Sequence, residues 1–414
     1  MSVAGCLLPV ACCLVSQEVS ESELRRHVES LSSDEMEGRC SGSPGAERAA
    51  DLLVAAFRKA GLRPPSGGTS QEFEIPGPLG TRRRIVGRNV IGILDGKDGR
   101  LRREYVLVAA HYDGVGKKGD PNPTGRLPGA RDDAIWNGAD DNASGVAALL
   151  ETARLLAESP PKRSVVFVAF GGEEFGNAGS LHFVRRLPEP LAAEALTAMV
   201  NLHMLGRNPG RPTEVLGTDS GEGWDAVVDS AARGMELRRS GEPPRYGDQA
   251  SFAAARVPAV MLFAGFHDDY HAPGDEAGKL SWEALAARTR FAVRLAAALA
   301  DLPGRIRWKE PSWSGRLGIL GNDVTDAEAE RLGLPPGRGG VRVSEVSAGG
   351  PAERAGLRVD DVIVEFAGRP LSRDGAKAEL LRAVRAIRPG AEAAAAVLRG
   401  RDRLELRFVW RTGD

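Results

Sequence analysis

Two adjacent acids, Glu173 and Glu174, have the residue type and the position that proton transfer and metal binding require. They follow the apolar, β-branched run 164–170, which predicts a buried parallel strand, and Gly171 and Gly172 permit a sharp turn between the strand and the acids. The acids therefore lie where a strand ends, which is where open α/β sheets keep their active sites. Because successive side chains point in different directions there, one acid can bind a metal ion while the other handles a proton. A Glu-Glu pair taken alone is more often a solvated turn, so the chemical interpretation depends on the rest of the chain.

Four further side chains with metal-binding chemistry occupy comparable positions. Three of the six histidines follow apolar runs that predict strands, and an aspartate lies in a Gly-rich loop where a helix is predicted to start. These residues are His111, His203, His271 and Asp141. Neighbouring strands lie roughly 5 Å apart, so groups at one sheet edge converge. Imidazoles and carboxylates together suit zinc, and their coincidence at one edge favours a metal centre over a separate structural role for each.

Alternating strands and helices are expected to position these groups. Apolar runs predict strands at 88–94, 105–110, 164–170, 198–202 and 259–263. Capping residues and apolar periodicity predict helices at 20–31, 45–60, 144–158, 224–233 and 281–302, and one more that contains His182. A polar segment rich in Gly and Pro at 114–136 is typical of a long surface loop. The alternation predicts an α/β fold of three layers, with a mostly parallel sheet flanked by helices.

Composition places the chain among soluble globular proteins. It has 414 residues, of which 27% are charged and 42% apolar, and its net charge is −1. A nearly neutral chain gives no reason to expect nucleic acid or anionic lipid as a partner. The four cysteines are Cys6, Cys12, Cys13 and Cys40, so neither a disulfide-held fold nor a cysteine-rich zinc site is expected.

Four segments are predicted along the chain. They are an export signal or disordered tail at 1–19, the α/β domain at 20–302, a linker at 303–312 and a small separate domain at 313–411. The apolar run 4–15 has the length of a signal-peptide core and is too short to span a bilayer, but no Lys or Arg precedes it. We expect an exported protein (periplasmic, secreted, or lipid-anchored through Cys12), while a cytoplasmic location stays open. No other segment of the sequence is apolar enough to predict a transmembrane helix.

The polar motifs resemble those of a known enzyme family in order and spacing. They are His111-Tyr112-Asp113, the loop 137–145 (Asn-Gly-Ala-Asp-Asp-Asn-Ala-Ser-Gly), the turn 172–176 with Gly179-Ser180, the run 201–204 (Asn-Leu-His-Met), and Asp269-Tyr270-His271 with Pro273 and Asp275. On these motifs, residues 20–302 resemble the di-zinc aminopeptidases of the aminopeptidase Y and bacterial leucyl aminopeptidase type, in metallopeptidase clan MH. The resemblance implies a zinc exopeptidase fold, peptide or protein substrates and two zinc ions.

The resemblance also assigns the metal ligands. Asp141 would bridge both ions. His111 and His203 would complete one site, and Glu174 and His271 would complete the other.

Catalytic roles follow from the same resemblance. Glu173 would be the general base that takes a proton from the attacking water, and Tyr270 would hydrogen-bond the oxyanion. Asp113 would orient His111, and the peptide bond after Asp141 would be cis.

Position 203 departs from the family's pattern, which has Asp where this chain has His203. Histidine still ligates zinc, so two ions are expected, with one ion or a poorly active site as the alternatives. The change removes one negative charge, and in the family that carboxylate lies near the substrate's free α-amino group. Residues 246–252 also differ from the family's Ser-Asp-His pattern; they shape the substrate pocket, or Asp248 simply caps a helix.

The C-terminal segment contains a second recognisable motif. Residues 350–357 read Gly-Pro-Ala-Glu-Arg-Ala-Gly-Leu, a short helix with Pro at its start and Gly as its stop, among short strands and one longer helix at 374–387. This segment resembles a PDZ domain of the bacterial protease-associated kind. The resemblance implies that peptide C-termini are captured by β-augmentation at the loop 316–320. The backbone N–H groups expected to hold the carboxylate are those of Leu317, Gly318, Ile319 and Leu320, and a packing appendage that binds nothing is the alternative.

Three functions therefore stay open. The leading one is a zinc aminopeptidase that hydrolyses N-terminal residues from peptides, with Glu173 as general base. The second is another zinc hydrolase or cyclase on the same fold, such as a carboxypeptidase or a glutaminyl cyclase relative. The third is a non-catalytic peptide-binding scaffold, against which the presence of Glu173 speaks, because a scaffold needs no general base.

Overall fold

The computed structural model describes most of the chain in two compact units. The described residues are 18–76, 84–121, 134–241, 246–309, 317–347, 349–373, 375–385, 387, 390–400 and 402–411. The two units comprise residues 1–310 and 311–414. The apolar run 4–15, residues 122–133 of the expected surface loop, the end of the expected linker and Arg316 lie outside the described residues.

A twisted eight-stranded sheet forms the centre of the first unit. The strands of this unit are β1 (Ser70–Pro76), β2 (Arg84–Leu94), β3 (Tyr105–His111), β4 (Gly116–Lys117), β5 (Ile135–Trp136), β6 (Ser164–Phe170), β7 (Leu196–His203), β8 (Thr213–Leu216), β9 (Gly221–Glu222), β10 (Leu237–Ser240), β11 (Ala259–Phe263) and β12 (Arg307–Trp308). The sheet order is β1-β2-β6-β3-β7-β11-β8-β10. The central strands β6, β3, β7 and β11 are parallel. The pairs β1–β2, β2–β6 and β11–β8 are antiparallel, and β10 pairs parallel with β8. The mostly parallel α/β sheet predicted from the sequence is confirmed.

Helices cover both faces of this sheet. They are α1 (Glu21–Leu31), α2 (Pro44–Lys59), α3 (Gly145–Glu158), α4 (Ala178–Arg185), α5 (Trp224–Ala232), α6 (Gln249–Ala254) and α7 (Trp282–Asp301). One apolar core joins α1, α2, α3, α5 and α7 to one face, where Val106, Val108 and Phe167 are fully buried. A second core joins α4 and α6 to the opposite face through Phe183 and Phe252. Successive apolar side chains of β3 and β6 point to opposite faces of the sheet. Helices can therefore pack on both faces, which gives the three layers.

The elements absent from the sequence-based prediction are short or polar. β1, β8, β10 and α6 were not predicted; β10 reads Leu-Arg-Arg-Ser and is largely exposed at the sheet edge. Edge strands lack the continuous apolar run that marks a buried strand, so the pattern does not reveal them. The segment 114–136 is also more ordered than a surface loop, because β4 and β5 pair within it and Val115 is buried.

The second unit is a small antiparallel sheet with helices. Its strands are β13 (Ile319–Asp323), β14 (Val341–Val346), β15 (Val362–Phe366), β16 (Arg369–Pro370), β17 (Glu392–Arg399) and β18 (Asp402–Val409), and its helices are α8 (Asp326–Arg331), α9 (Pro351–Arg354) and α10 (Ala376–Arg385). The sheet order is β13-β14-β15-β17-β18, with β16 beside β15. Phe366, Phe408 and Trp410 pack together in its core. The sequence predicted two helices here, and α8 is the third.

In the part of the chain that the structure describes, no helix is both long and apolar enough to cross a membrane.

Candidate metal centre

The carboxyl ends of three adjacent parallel strands carry the predicted metal-binding side chains. His111 is the last residue of β3, His203 is the last residue of β7, and Glu173 and Glu174 follow β6 after the Gly171-Gly172 turn. The strand register aligns these ends, since His111 is opposite Phe170 of β6. Parallel pairing therefore brings residues that are far apart in the sequence to one edge of the sheet.

Asp141 reaches the same place from the loop before α3. The helical turn Ala139–Ser144 is distorted at Asp141, and the peptide bond between Asp141 and Asn142 is cis, as the resemblance implies. The buried carboxylate of Asp275 accepts hydrogen bonds from the amides of Asp140 and Asp141 at 3.0 and 2.9 Å. The Asn142 side chain donates to the carbonyl of Leu202 at 3.0 Å, next to His203. Asp141 is thus fixed by hydrogen bonds to its backbone, which leave its carboxylate turned toward the histidines.

The two oxygens of Asp141 face different imidazoles. Oδ1 lies 3.2 Å from Nε2 of His111 and 3.9 Å from Nε2 of His203, and Oδ2 lies 3.2 Å from Nε2 of His271. Nε2 of His271 is also 3.3 Å from Oε2 of Glu174. A carboxylate with histidines at both oxygens has the arrangement of a group that bridges two ions.

The donor atoms fit zinc in type and in spacing. Zinc–nitrogen and zinc–oxygen bonds of about 2.0–2.2 Å place two donors of one tetrahedral ion about 3.3 Å apart. Buried Nε2 of His111 and Oδ1 of Asp141 have this spacing, yet neither atom has a hydrogen-bond partner among the described residues. One donor atom each from His111, Asp141 and Glu174 lie within 4.8 Å of one another, and so do donors from His111, Glu173 and His203. The residues therefore fit the metal that the sequence predicted.

Burial and mutual charge shift the pKa values of the imidazoles in opposite directions. Burial lowers the pKa of His203 to about 3, and the charge of His111 adds to this effect. Burial also opposes protonation of His271, but Asp141 and Glu174 outweigh it and raise its pKa to about 10. In the same way Glu173, Asp113 and Asp141 overcome burial and raise the pKa of His111 well above its usual value. In the absence of metal, the positive charges of protonated His111 and His271 offset the negative charges of the neighbouring carboxylates.

The carboxylates respond to the same environment. Although burial favours its neutral form, His111 and His271 hold the pKa of Asp141 well below its usual range. Burial raises the pKa of Glu173 well above its usual value, and the charges of Glu174 and Asp248 add to this although His111 opposes it. A carboxylate with a raised pKa is the better proton acceptor, as a general base requires.

Asp113 contacts the turn that carries Glu173 more closely than it contacts His111. Its Oδ1 accepts a hydrogen bond from the amide of Glu173 at 3.1 Å, whereas it lies 3.7 Å from Nδ1 of His111. The nearer acceptor for His111 Nδ1 is the backbone carbonyl of Asp113, at 3.1 Å. The expected orientation of His111 is therefore supplied by the Asp113 backbone rather than by its carboxylate.

Tyr270 lies against the centre, within a row of aromatic rings. Its ring stacks on His271 with centroids 3.9 Å apart, and it contacts Phe266 edge to face at 4.8 Å. Phe266 contacts Phe263 at 5.0 Å, and Phe263 contacts His203 at 5.7 Å. Burial, with the charges of the nearby acids, raises the pKa of Tyr270, so its phenol stays protonated. Phe266 is 46% exposed, and the row therefore presents an apolar surface to solvent beside the metal-binding residues.

Residues 246–252 extend this surface. Tyr246 is 45% exposed and contacts Phe266 at 6.1 Å. Asp248 precedes α6, but its side chain makes no capping hydrogen bond, so the capping alternative considered from the sequence is wrong. Asp248 is instead fully buried, and burial raises its pKa to about 7.

Sequence reasoning did not predict the supporting roles of three residues that hold the site together. Arg39 and Ser41 reach it from the segment between α1 and α2, and Asp275 supports Asp141. Asp275 was within a recognised motif, but only the structure shows what it contacts. The Gly-rich and polar character of residues 36–42 was the only signal for the other two.

The predicted peptide-binding loop of the second unit lies at the start of an edge strand. Leu317 is buried, Gly318 has a φ of +77°, and Ile319 and Leu320 begin β13. The carbonyls of Leu317 and Gly318 accept hydrogen bonds from the amides of Ala352 and Ser347, both at 2.9 Å. These bonds fix the loop from the side of α9.

Comparison with known proteins matches both units to families. The model of peptidase family M28 matches residues 89–296, and a PDZ domain model matches residues 342–400. The chain belongs to peptidase family M28, and its second unit is a PDZ domain.

Two curated relatives are similar to parts of the chain. Aminopeptidase YwaD of Bacillus subtilis (strain 168) is 28% identical over 212 residues, which cover 48% of this chain and 41% of YwaD. A probable zinc metalloprotease of Pyrenophora teres f. teres is 38% identical over 122 residues, which cover 29% of this chain and 23% of that protein. The chain therefore spans less than half the length of these curated relatives.

The fold of the first unit is shared with solved structures of a zinc aminopeptidase and a glutaminyl cyclase. BSAP, a zinc aminopeptidase from Bacillus subtilis, superimposes with a TM-score of 0.56 at 18% identity, over 72% of this chain and 100% of BSAP. A glutaminyl cyclase of Bacteroides thetaiotaomicron, bound to N-acetylhistamine, has a TM-score of 0.55 at 17% identity, over 68% of this chain and 98% of the cyclase. At these identities the likeness concerns the fold.

Proposed function

We propose that this protein is a zinc-dependent aminopeptidase that hydrolyses N-terminal residues from peptides. The observation that carries the proposal is the convergence of His111, Asp141, Glu174, His203 and His271 at one sheet edge, with Glu173 beside them. The M28 membership and the aminopeptidase relatives support it.

The roles of the residues follow from their positions. When bound, zinc polarises the scissile carbonyl and lowers the pKa of the attacking water. Glu173, whose pKa burial raises, accepts the proton of that water and passes it to the leaving amine. The protonated phenol of Tyr270 donates a hydrogen bond to the oxyanion. Asp113 holds the backbone of Glu173 in place.

We propose two zinc ions on either side of Asp141. Asp141, His111 and His203 would hold one ion, and Asp141, Glu174 and His271 would hold the other. Nε2 of His203 lies 3.9 Å from Oδ1 of Asp141, so we expect His203 to be the weaker ligand of the first ion. Metal analysis of the purified protein by mass spectrometry tests the number: two ions per chain are expected, and one or none would contradict the dinuclear arrangement.

His203 is also expected to affect how strongly the site attracts the substrate's α-ammonium group. Burial keeps its imidazole neutral, so the site has one negative charge fewer than with an aspartate there. Weaker attraction of a substrate α-ammonium group is therefore expected, and His203→Asp should lower KM for free N-termini.

An assay with aminoacyl 4-nitroanilides, with and without a chelator, tests the reaction. Hydrolysis that a chelator abolishes and zinc restores is expected. Glutaminyl-peptides are the control for the cyclase alternative, which would release ammonia without cleaving a peptide bond. A carboxypeptidase would act on C-terminally free peptides whether or not their N-terminus is acetylated. Activity that persists in Glu173→Gln would overturn the assigned mechanism.

We further propose that the PDZ domain binds peptide C-termini at Leu317–Leu320. β13 is an edge strand of its sheet, so its outer side is suited to pair with an added strand. Leu320 on β13 and Leu381 on α10 are both exposed, at 55% and 44%, and suit an apolar peptide side chain. Binding of a free peptide C-terminus, but not of the same peptide amidated, is expected. Equal binding of the two would contradict carboxylate capture.

We also propose export from the cytoplasm, on the apolar run 4–15. Fractionation of cells that express the full chain tests it: the protein is expected outside the cytoplasm, and the chain without residues 1–19 inside it.

A further inference from the structure

We propose that Ser41 is a positioning residue for the general base, acting on the turn that carries Glu173. The inference rests on the proposed aminopeptidase function, because it assigns Ser41 a part in that reaction. Ser41 belongs to none of the strand-end motifs and lies 132 residues from Glu173 in the sequence (173 minus 41).

The segment that carries Ser41 is fixed against the metal-binding loops by Arg39. The buried guanidinium of Arg39 donates hydrogen bonds to the carbonyls of Tyr112, Asn137 and Gly138 at 2.8, 2.7 and 2.9 Å. Tyr112 follows His111, and the other two precede Asp141. Because this buried charged group donates only to backbone carbonyls in these contacts, it holds its own segment against the residues after His111 and before Asp141.

The Ser41 hydroxyl then joins this segment to the turn after β6. Its Oγ donates to Oδ2 of Asp113 at 3.1 Å and accepts from the amide of Gly172 at 2.9 Å. Oδ1 of the same Asp113 accepts from the amide of Glu173 at 3.1 Å. Two consecutive amides of the turn are thus hydrogen-bonded. The Gly172 amide donates to the Ser41 hydroxyl, and the Glu173 amide donates to the Asp113 carboxylate, to which the same hydroxyl also donates.

Only a group that donates and accepts at once can make this link. Ser41 is 4% exposed and Asp113 is fully buried, so water has little access to replace a lost hydroxyl. Removing Oγ would leave a buried amide and a buried carboxylate oxygen each short of one partner. The turn would then be free to relax, and a displacement of about 1 Å at a reacting group can lower a rate on the order of a hundredfold.

Four of the five proposed metal ligands lie outside this turn, and the fifth, Glu174, follows Glu173 on it but also contacts His271 at 3.3 Å. His111 and His203 are the last residues of strands, and Asp141 is held by Asp275. Loss of Ser41 Oγ is therefore expected to act on kcat through Glu173 while the ions stay bound.

The matched control is Ser43, which lies two residues further along the same segment. It is also buried, but its Oγ accepts from the amide of Ala46 and caps α2. Ser43→Ala removes a buried hydroxyl of the same segment without touching the turn. Ser41→Cys complements Ser41→Ala, because it leaves no cavity and replaces the hydroxyl by a weak donor and acceptor.

The experiment compares the full-length wild type, Ser41→Ala, Ser41→Cys and Ser43→Ala. It measures kcat and KM on a 4-nitroanilide, zinc content, the visible spectrum after Co²⁺ substitution, and amide hydrogen exchange in the peptide that spans residues 171–175. For both Ser41 variants we expect kcat to fall about 10- to 100-fold with KM within about twofold. Zinc content and the Co²⁺ spectrum should be unchanged, and exchange at Gly172 and Glu173 should be faster. Ser43→Ala should keep the wild-type kcat and exchange.

Three results would overturn the proposal. They are a wild-type kcat in Ser41→Ala, unchanged amide exchange in that variant, and a fall in kcat that addition of zinc fully reverses. Failure of the proposed function is recognised separately, because the wild type itself would then hydrolyse none of the substrates.

Discussion

Zinc binding is expected to release protons, and the number follows from the histidines of the centre. His271 has a pKa of about 10, and that of His111 is also raised well above its usual value. The raised pKa values favour the protonated form of both imidazoles at neutral pH, and a protonated imidazole must lose its proton to bind a metal. His203, with a pKa of about 3, is already neutral and releases none. We expect about two protons to leave as zinc binds at pH 7.

The size of the effect can be worked out for His271. At pH 7, a group with a pKa of about 10 is about three pH units below its pKa, so removing its proton costs about 4 kcal/mol. This cost weakens zinc binding by the same amount. The affinity should rise about tenfold per pH unit for each proton released, and it should stop rising on account of His271 above pH 10.

Isothermal titration of the metal-free protein with Zn²⁺, in buffers of different ionisation enthalpy, measures the protons directly. His271→Asn should lower the number released by about one. His203→Asn is the control, since it should weaken zinc binding without changing that number. An affinity that does not vary between pH 6 and pH 9, or heats that do not depend on the buffer, would refute the reasoning.

Three further predictions follow from the site. Glu173→Gln should lower kcat about 10²- to 10⁴-fold with zinc retained, as metal analysis beside the kinetics will show; an active variant would exclude Glu173 as the base. Phe266→Ala should lower kcat/KM for leucyl and phenylalanyl substrates about tenfold relative to alanyl ones, and an equal fall for all three would exclude a side-chain pocket there. The metal-free protein should lose stability as pH rises from 6.5 toward 10, because the raised pKa of His271 stabilises the fold only while the imidazole is protonated. Thermal melts at increasing pH check this, and the zinc-bound protein, whose His271 holds no proton, should not show the loss.

The sequence predicted the metal-binding residues because their positions follow from strand ends. Apolar runs predict where β3, β6 and β7 stop, and parallel pairing brings whatever follows them to one edge. His111, Glu174 and His203 were therefore placed correctly with respect to the fold before any distance was known. Asp141 and His271 were also selected from the sequence, but they lie in loops, and the course of a loop does not follow from where a strand ends.

The supporting residues could not be predicted in this way. Arg39 and Ser41 act through hydrogen bonds to backbone groups more than 70 residues away, and no local pattern encodes such contacts. Asp113 was expected to orient His111; its backbone carbonyl contacts His111 while its carboxylate accepts from the Glu173 amide, and no sequence pattern distinguishes these two contacts. The strands β8 and β10 were missed because each has only four residues, and β10, at the edge of the sheet, is partly exposed.

The most direct test of the central claim is the identity of the first products released from an unlabelled peptide. Mass spectrometry of a zinc-loaded reaction should show residues released one at a time from the N-terminus, with no release from the same peptide acetylated at its N-terminus and none by Glu173→Gln. Internal cleavage, equal cleavage of the acetylated peptide, or release that survives removal of zinc would contradict the account.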